Sequence, residues 1–272
     1  MSKYELKSFY DYYDALVEKW LDDAQREDMI RNDAYFTAES NKRRKELVKL
    51  SSERLEIPEP YYGNPECCSA VIINLNPGAS GDKNRTEYYE SLANHLLATK
   101  FSDFAKSFPC LEKEHPGFRF WSQKNVWIQR LCGCGCEHLR PFAVELCPYH
   151  SKKWNGTFIN EEVRTHIQNW VLEPAFFAVK KSQLPFALAI GKGCYDELKK
   201  LGFDELEGWD STISDWPTNI NNKPINRYFA LLGKNSTKVL CTWCKGGTNS
   251  APAESFADIE KRILESIKSL TL

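Results

Sequence analysis

The sequence predicts an α/β protein. The expected architecture is a three-layer α/β/α domain around a mostly parallel, four-stranded central sheet, preceded by a helical N-terminal extension. Three observations carry this expectation. Short apolar runs recur between longer stretches of helical periodicity. Several of these runs stop at Pro or Gly, as strands do where they leave a sheet. Strands that alternate with helices build a parallel sheet with covered faces. The boundary is placed after residue 57, giving an extension over 1–57 and the α/β domain over 58–272.

In chain order, Tyr4 to Met29 carries Phe9, Tyr13, Leu16 and Trp20 at spacings of three and four, one apolar helical face. A second helix is expected from Ala38 to Arg54; its Lys42-Arg43-Arg44-Lys45 run reads as a solvated face. Pro58, Pro60, Gly63 and Pro65 break the chain. Val71-Ile72-Ile73-Asn74-Leu75 is a buried strand that runs into the turn Asn76-Pro77-Gly78. Helices follow over Thr86 to Ser107 and Phe118 to Leu131. Arg140 to Leu146 is the second strand. Asn160 to Lys181 is a long helix that tolerates Pro174. Pro185 to Ile190 is the third strand, with a helix over Cys194 to Leu201. Gly208 to Lys223 reads as a surface loop. Lys238 to Thr242 is the fourth strand, and Asp258 to Leu270 closes the chain as an amphipathic helix.

Composition narrows the function classes. The chain has 272 residues, 42% of them hydrophobic, enough for a sizeable core. No apolar run reaches membrane-spanning length and the N-terminus lacks a signal-peptide core, so a cytoplasmic protein without membrane attachment is expected. Ten cysteines in such a chain point to thiols or a metal site rather than a disulfide framework. A formal net charge of −1 leaves no global basic footprint, so nucleic-acid binding requires a local patch.

Three strand ends carry the chemistry: Leu75-Asn76-Pro77-Gly78, then Glu145-Leu146-Cys147-Pro148-Tyr149, then Cys241-Thr242-Trp243-Cys244-Lys245-Gly246-Gly247-Thr248-Asn249. Together, from about Pro58 onward, they resemble the uracil-DNA glycosylase superfamily, closest to its single-strand-selective monofunctional branch. The resemblance implies that Asn76 orients the attacking water, that position 145 reads a flipped base, and that the last segment meets DNA. It also implies a monomer needing no cofactor, and it extends to bacterial defence proteins that excise hypermodified cytosines from phage DNA. Two departures stand out. The base-reading Asn of that branch is Glu145 here, and the His of the last motif is missing, no His lying beyond His166.

Each position has a plainer alternative. Asn76 as a neutral amide is a weak base, with Asp82 as a nearby carboxylate. Otherwise Asn76 caps the strand exit as an Asx turn and Asp82 caps the next helix. Glu145 only accepts hydrogen bonds when ionised, so it matches the N4 amino group of cytosine rather than O4 of uracil. With a raised pKa it shares a proton with cytosine N3. The alternative is a Glu that points to solvent. Tyr149 or Trp243 is placed to stack on the base, beside the Gly78 turn. Lys245, Gly246, Gly247, Thr248 and Asn249 are candidates for phosphate contacts, and Ser80 belongs to a second set; a tight turn is the alternative for each Gly cluster.

Cys132, Cys134, Cys136 and His138 are dense enough to bind zinc or an iron–sulfur cluster, which some branches of the superfamily carry. Alternate-residue spacing departs from structural zinc sites, and a reduced, Gly-flexible loop is the preferred reading. The expected activity is monofunctional excision of a non-standard pyrimidine, favouring C5-modified cytosine over uracil. The rival classes are a non-catalytic binding module for DNA or protein, and a nucleotide- or sugar-processing enzyme, which lacks its G-x-G-x-x-G or P-loop here.

Overall fold

A computed structural model describes residues 3–37, 57–75, 77, 83–133, 138–150, 160–244 and 250–270. Helix α1 (Lys3–Leu21) places Phe9, Tyr13, Val17 and Trp20 on one face and buries all four. The single helix expected to Met29 is broken at Asp22. Its extended backbone and side chain, accepting from Gln25 N at 2.9 Å, start α2 (Asp23–Asn32). Asp33 opens the short α3 (Ala34–Thr37) in the same way through Tyr35 N. The helix expected over Ala38 to Arg54 lies outside the described residues.

The sheet has seven strands among the described residues rather than four, in the order β1-β3-β2-β4-β7-β6-β5. Strands β2 (Val71–Asn74), β3 (Phe142–Glu145) and β4 (Ala187–Ile190) are buried throughout, and each pairs in parallel with its neighbour. Strand β7 (Thr237–Cys244) joins β4 in parallel. The additions are antiparallel: β1 (Tyr61–Tyr62) on β3, and β6 (Arg227–Lys234) with β5 (Asp204–Trp209) beyond β7. Part of the expected surface loop therefore belongs to β5. Its exposed Asp204, Glu205 and Gly208 face solvent at the sheet edge, where charge opposes pairing with another chain.

The helix expected over Thr86 to Ser107 divides into α4 (Lys83–Leu96) and α5 (Phe101–Lys106). Helix α6 (Phe118–Cys132) lies as expected. The long Asn160 helix consists of α7 (Glu161–His166), a π-helical turn (Ile167–Leu172) and α8 (Glu173–Val179). Pro174 explains the interruption, because a proline has no N–H for the Trp170 carbonyl one turn back. Tyr13 supplies the missing donor, its hydroxyl reaching Trp170 O at 3.1 Å. Helix α8 packs on β2, β3 and β4, while α9 (Lys192–Lys200) packs on β4 and β7. Helix α10 (Ala257–Ser269) packs on α6, where Glu260 takes two bonds from Arg130 and one from Trp127 Nε1.

Helices α1 to α3 share one hydrophobic core with the sheet. Phe9 meets Tyr61 at 4.7 Å between ring centroids, and Trp20, Phe36 and Tyr35 surround Tyr149. No described helix is long and apolar enough to cross a membrane.

Candidate functional site

The carboxyl ends of β2 and β3 place two polar side chains beside each other. Asn74 and Glu145 are register partners in parallel strands, and each is the last residue of its strand. The ladder continues beyond the strands, with Leu146 N on Asn74 O and Cys147 N on Leu75 O, so the chain stays pinned through Leu75. On the other side Glu145 N donates to Pro60 O at 3.0 Å. Glu145 thus sits between two fixed neighbours at the sheet edge where open α/β sheets take ligands.

A third residue comes from α6. Lys124 Nζ donates to Asn74 Oδ1 at 2.7 Å, and Asn74 Nδ2 donates to Glu145 Oε1 at 2.9 Å. Lys124 is 1% exposed, with its ammonium 3.8 Å from the Phe120 ring centroid and 4.5 Å from that of Trp121. Burial lowers its pKa from 10.5 to about 8, against the pull of Glu145. Burial likewise pushes the Glu145 carboxyl from 4.5 up to about 8, with Lys124 opposing and Glu59 adding to the rise. Glu145 Oε2 is buried and makes no hydrogen bond to any described residue. Such an atom is costly to leave unpaired, and the described residues supply it no partner.

Beyond Glu145 the polar region continues. Glu59 accepts a short hydrogen bond from the Tyr89 hydroxyl, and His150 Nε2 lies 3.4 Å from the same oxygen while also bonding Ile57 O at 2.9 Å. The Cys110 thiol meets His115 Nε2 at 3.6 Å. His115 Nδ1 accepts from Gly117 N, so this ring carries its proton on Nε2 when neutral. Burial holds the Cys110 thiol well above its usual range, so it is not an activated nucleophile.

Other sequence-derived candidates are placed differently. Tyr149 is fully buried, and its hydroxyl donates to Asp33 at 2.9 Å among Trp20, Tyr35 and Phe36. It anchors the N-terminal helices and presents no open ring face to a base. Trp243 is half-buried, stacked on Tyr228 at 5.6 Å and tilted against Tyr195 at 4.8 Å. The strand order puts β7 three steps from β3, roughly 14 Å at about 4.8 Å per step, too far for one pyrimidine to touch both Trp243 and Glu145. Asn76, Gly78, Ser80, Asp82, Lys245, Gly246, Gly247, Thr248 and Asn249 lie outside the described residues, as do Cys134 and Cys136. Cys132 bonds Ser69 O through its thiol and His138 is exposed. Among the described residues no three candidate ligands come together around a metal position and no disulfide forms.

Three participants escaped the sequence reading. Lys124 falls in the apolar series Trp121, Lys124, Ile128, Leu131, a lysine at a core position of an amphipathic helix, and that misplacement was the available signal. Asn74 is the polar residue of an otherwise apolar strand. Arg227 is buried, donating to Thr242 Oγ1 at 3.0 Å and to Ser250 O at 3.1 Å, so it joins the two flanks of residues 245–249. Comparison with protein-family models, with curated proteins and with solved structures gives no match, so the functional reading rests on the residues themselves.

Proposed function

We propose that this chain is a monofunctional DNA glycosylase built on a three-layer, uracil-DNA-glycosylase-like domain. Its favoured substrate is a flipped cytosine modified at C5, with phage DNA as one setting and uracil as the second choice. The observation that supports this most is the buried Glu145, with Oε1 taken by Asn74 and Oε2 without a partner among the described residues. Asn74 offers Oε1 a hydrogen and so accepts none from it, which assigns any carboxyl proton to Oε2.

The reaction then divides between two strand ends. Neutral Glu145 donates its Oε2 proton to N3 of the base as the N1–C1′ bond breaks, and the base leaves neutral. Ionised Glu145 accepts from the N4 amino group instead. Water held by Asn76 forms the new bond to C1′, and its proton passes to Asp82 or solvent. General acid catalysis of this kind supplies about 10²- to 10⁴-fold. Trp243 with Tyr228 and Tyr195 suits a neighbouring base rather than the reacting one, and residues 245–249 meet phosphate. The protein acts as a cytoplasmic monomer on DNA and needs no cofactor.

The test incubates the protein with duplexes that carry uracil, cytosine or C5-modified cytosines, followed by alkali to cleave abasic sites. Release of a modified cytosine, lost in Asn76→Ala and Glu145→Gln, is expected. Release of uracil alone overturns the assignment of Glu145. A second reading, a non-catalytic DNA- or protein-binding module, gains from the last strand. There the Thr242 hydroxyl is occupied by Arg227 and by Tyr228 O, in the segment whose resemblance to the superfamily lacks the His. DNA binding without release from any duplex would select that reading.

A further inference from the structure

We propose that Lys124 is a positioning residue which, acting through Asn74, fixes which oxygen of Glu145 faces a ligand and where its proton sits. The proposal deepens the glycosylase reading and rests on it for the ligand's identity, but not for the order of the hydrogen bonds. An Asn side chain has an acceptor end and a donor end that differ little in shape, and nothing intrinsic decides which end faces Glu145. Lys124 decides it. A charged ammonium donates and never accepts, so Asn74 turns Oδ1 toward Nζ, at 2.7 Å. The donor end is thereby committed to Glu145 Oε1 at 2.9 Å, and Oε2 keeps both the proton and the ligand. With Asn74 reversed, its oxygen would face Oε1. A neutral Glu145 would then spend its proton inside the protein.

Lys124 is itself well fixed. Its stem is buried on α6, and Phe120 and Trp121 hold its head from the same helix. The other groups facing this trio are Glu59 from the segment before β1, Cys110 from the short helical turn before α6, and Cys194 from α9. The two thiols are held neutral by burial, leaving Glu59 as the competing charge on Glu145. Glu59 is engaged by Tyr89 and raises the proton affinity of Glu145, whereas Lys124 lowers it.

The test begins on the protein without DNA. Infrared difference spectra track the C=O stretch of the neutral Glu145 carboxyl, assigned by its disappearance in Glu145→Gln, through a pH titration. In Lys124→Met, which keeps an apolar stem over the aromatic rings, the midpoint is expected to rise by one pH unit or more, a tenfold gain in proton affinity. Lys124→Arg is expected to hold it near the wild-type value. Asn74→Leu cuts the link while leaving both charged groups, and it serves if Lys124→Met does not fold. It is expected to shift the frequency of the band, because Oε1 loses its donor. With DNA, the alkaline limb of base release is expected to move with the infrared midpoint. An unmoved midpoint in folded Lys124→Met, or an unchanged band in Asn74→Leu, overturns the proposal. A spectral shift without base release from any duplex leaves the hydrogen-bond order standing and removes the glycosylase reading alone.

Discussion

Replacing Glu145 by Gln tests the buried carboxyl through its effect on folding. Glutamine keeps the volume and an oxygen for Asn74, but loses the titrating proton. In the folded chain the Glu145 pKa is pushed from 4.5 up to about 8 by burial, with Lys124 opposing. The folded state therefore holds a proton that the unfolded chain releases near 4.5. The stabilisation from that proton is complete below 4.5 and is lost as pH rises toward 8. One proton corresponds to about 1.4 kcal/mol per pH unit, so the whole interval corresponds to on the order of 5 kcal/mol.

Lys124 works in the opposite sense. Its pKa is lowered from 10.5 to about 8, so stability present above 10.5 is lost as pH falls through about 8. The Glu145 contribution should fall between pH 5 and 8 and the Lys124 contribution recover above that, so the Glu145 part is isolated by difference from the variant. Urea unfolding at pH 5, 6, 7 and 8, followed by circular dichroism, measures this. The wild-type value minus that of Glu145→Gln should drop by about 1.4 kcal/mol with each pH unit. Parallel profiles for the two proteins would refute the reasoning, because they would mean that Glu145 titrates alike in the folded and unfolded chains.

Two further outcomes follow from the packing. Tyr35→Phe removes the donor that Leu146 O accepts at 2.7 Å in the interior, and should cost about 1–3 kcal/mol in urea unfolding with little change in the slope. Gly63→Ala places a Cβ 2.1 Å from Pro141 O at a residue with φ +94°, and should cost at least about 1–3 kcal/mol. Hydrogen exchange should show faster loss of protection at Glu145 N, whose acceptor is Pro60 O beside β1.

The parallel centre of the sheet was legible because Val71 to Ile73 and Ala187 to Ile190 are uninterrupted apolar runs that stop at Pro or Gly turns, the pattern of strands covered on both faces. The antiparallel edge was not. Strand β5 alternates acids with one buried end, which reads as polar loop until β6 is there to pair with it. The β6–β7 hairpin turns on Asn235-Ser236, with Asn235 at φ 56°, rather than on the Asn-Gly that announces such turns. Helix breaks at Asp22 and Pro174 were available as local chemistry, yet the apolar periodicity ran across both. Within the site, the sequence left Glu145 between a base-reading and a solvent-facing position, and it is buried at the end of β3. Lys124 was not legible, because a helical lysine ordinarily faces water and its interior position depends on an asparagine fifty residues away.

The bond from Tyr13 to Trp170 spans 157 residues, and it bears on how this protein is made. Helix α1 is synthesised well before the π-helical turn whose emergence completes the surface it covers. At about 5–20 residues per second that interval is on the order of ten seconds or longer. Throughout it, Tyr12 and Tyr13 lack their partner Trp170, so the nascent chain carries part of its aromatic face uncovered, suited to chaperones and to wrong partners alike. Docking of α1 is thus completed only long after the helix is made, and the yield of folded protein depends on how well that wait is guarded.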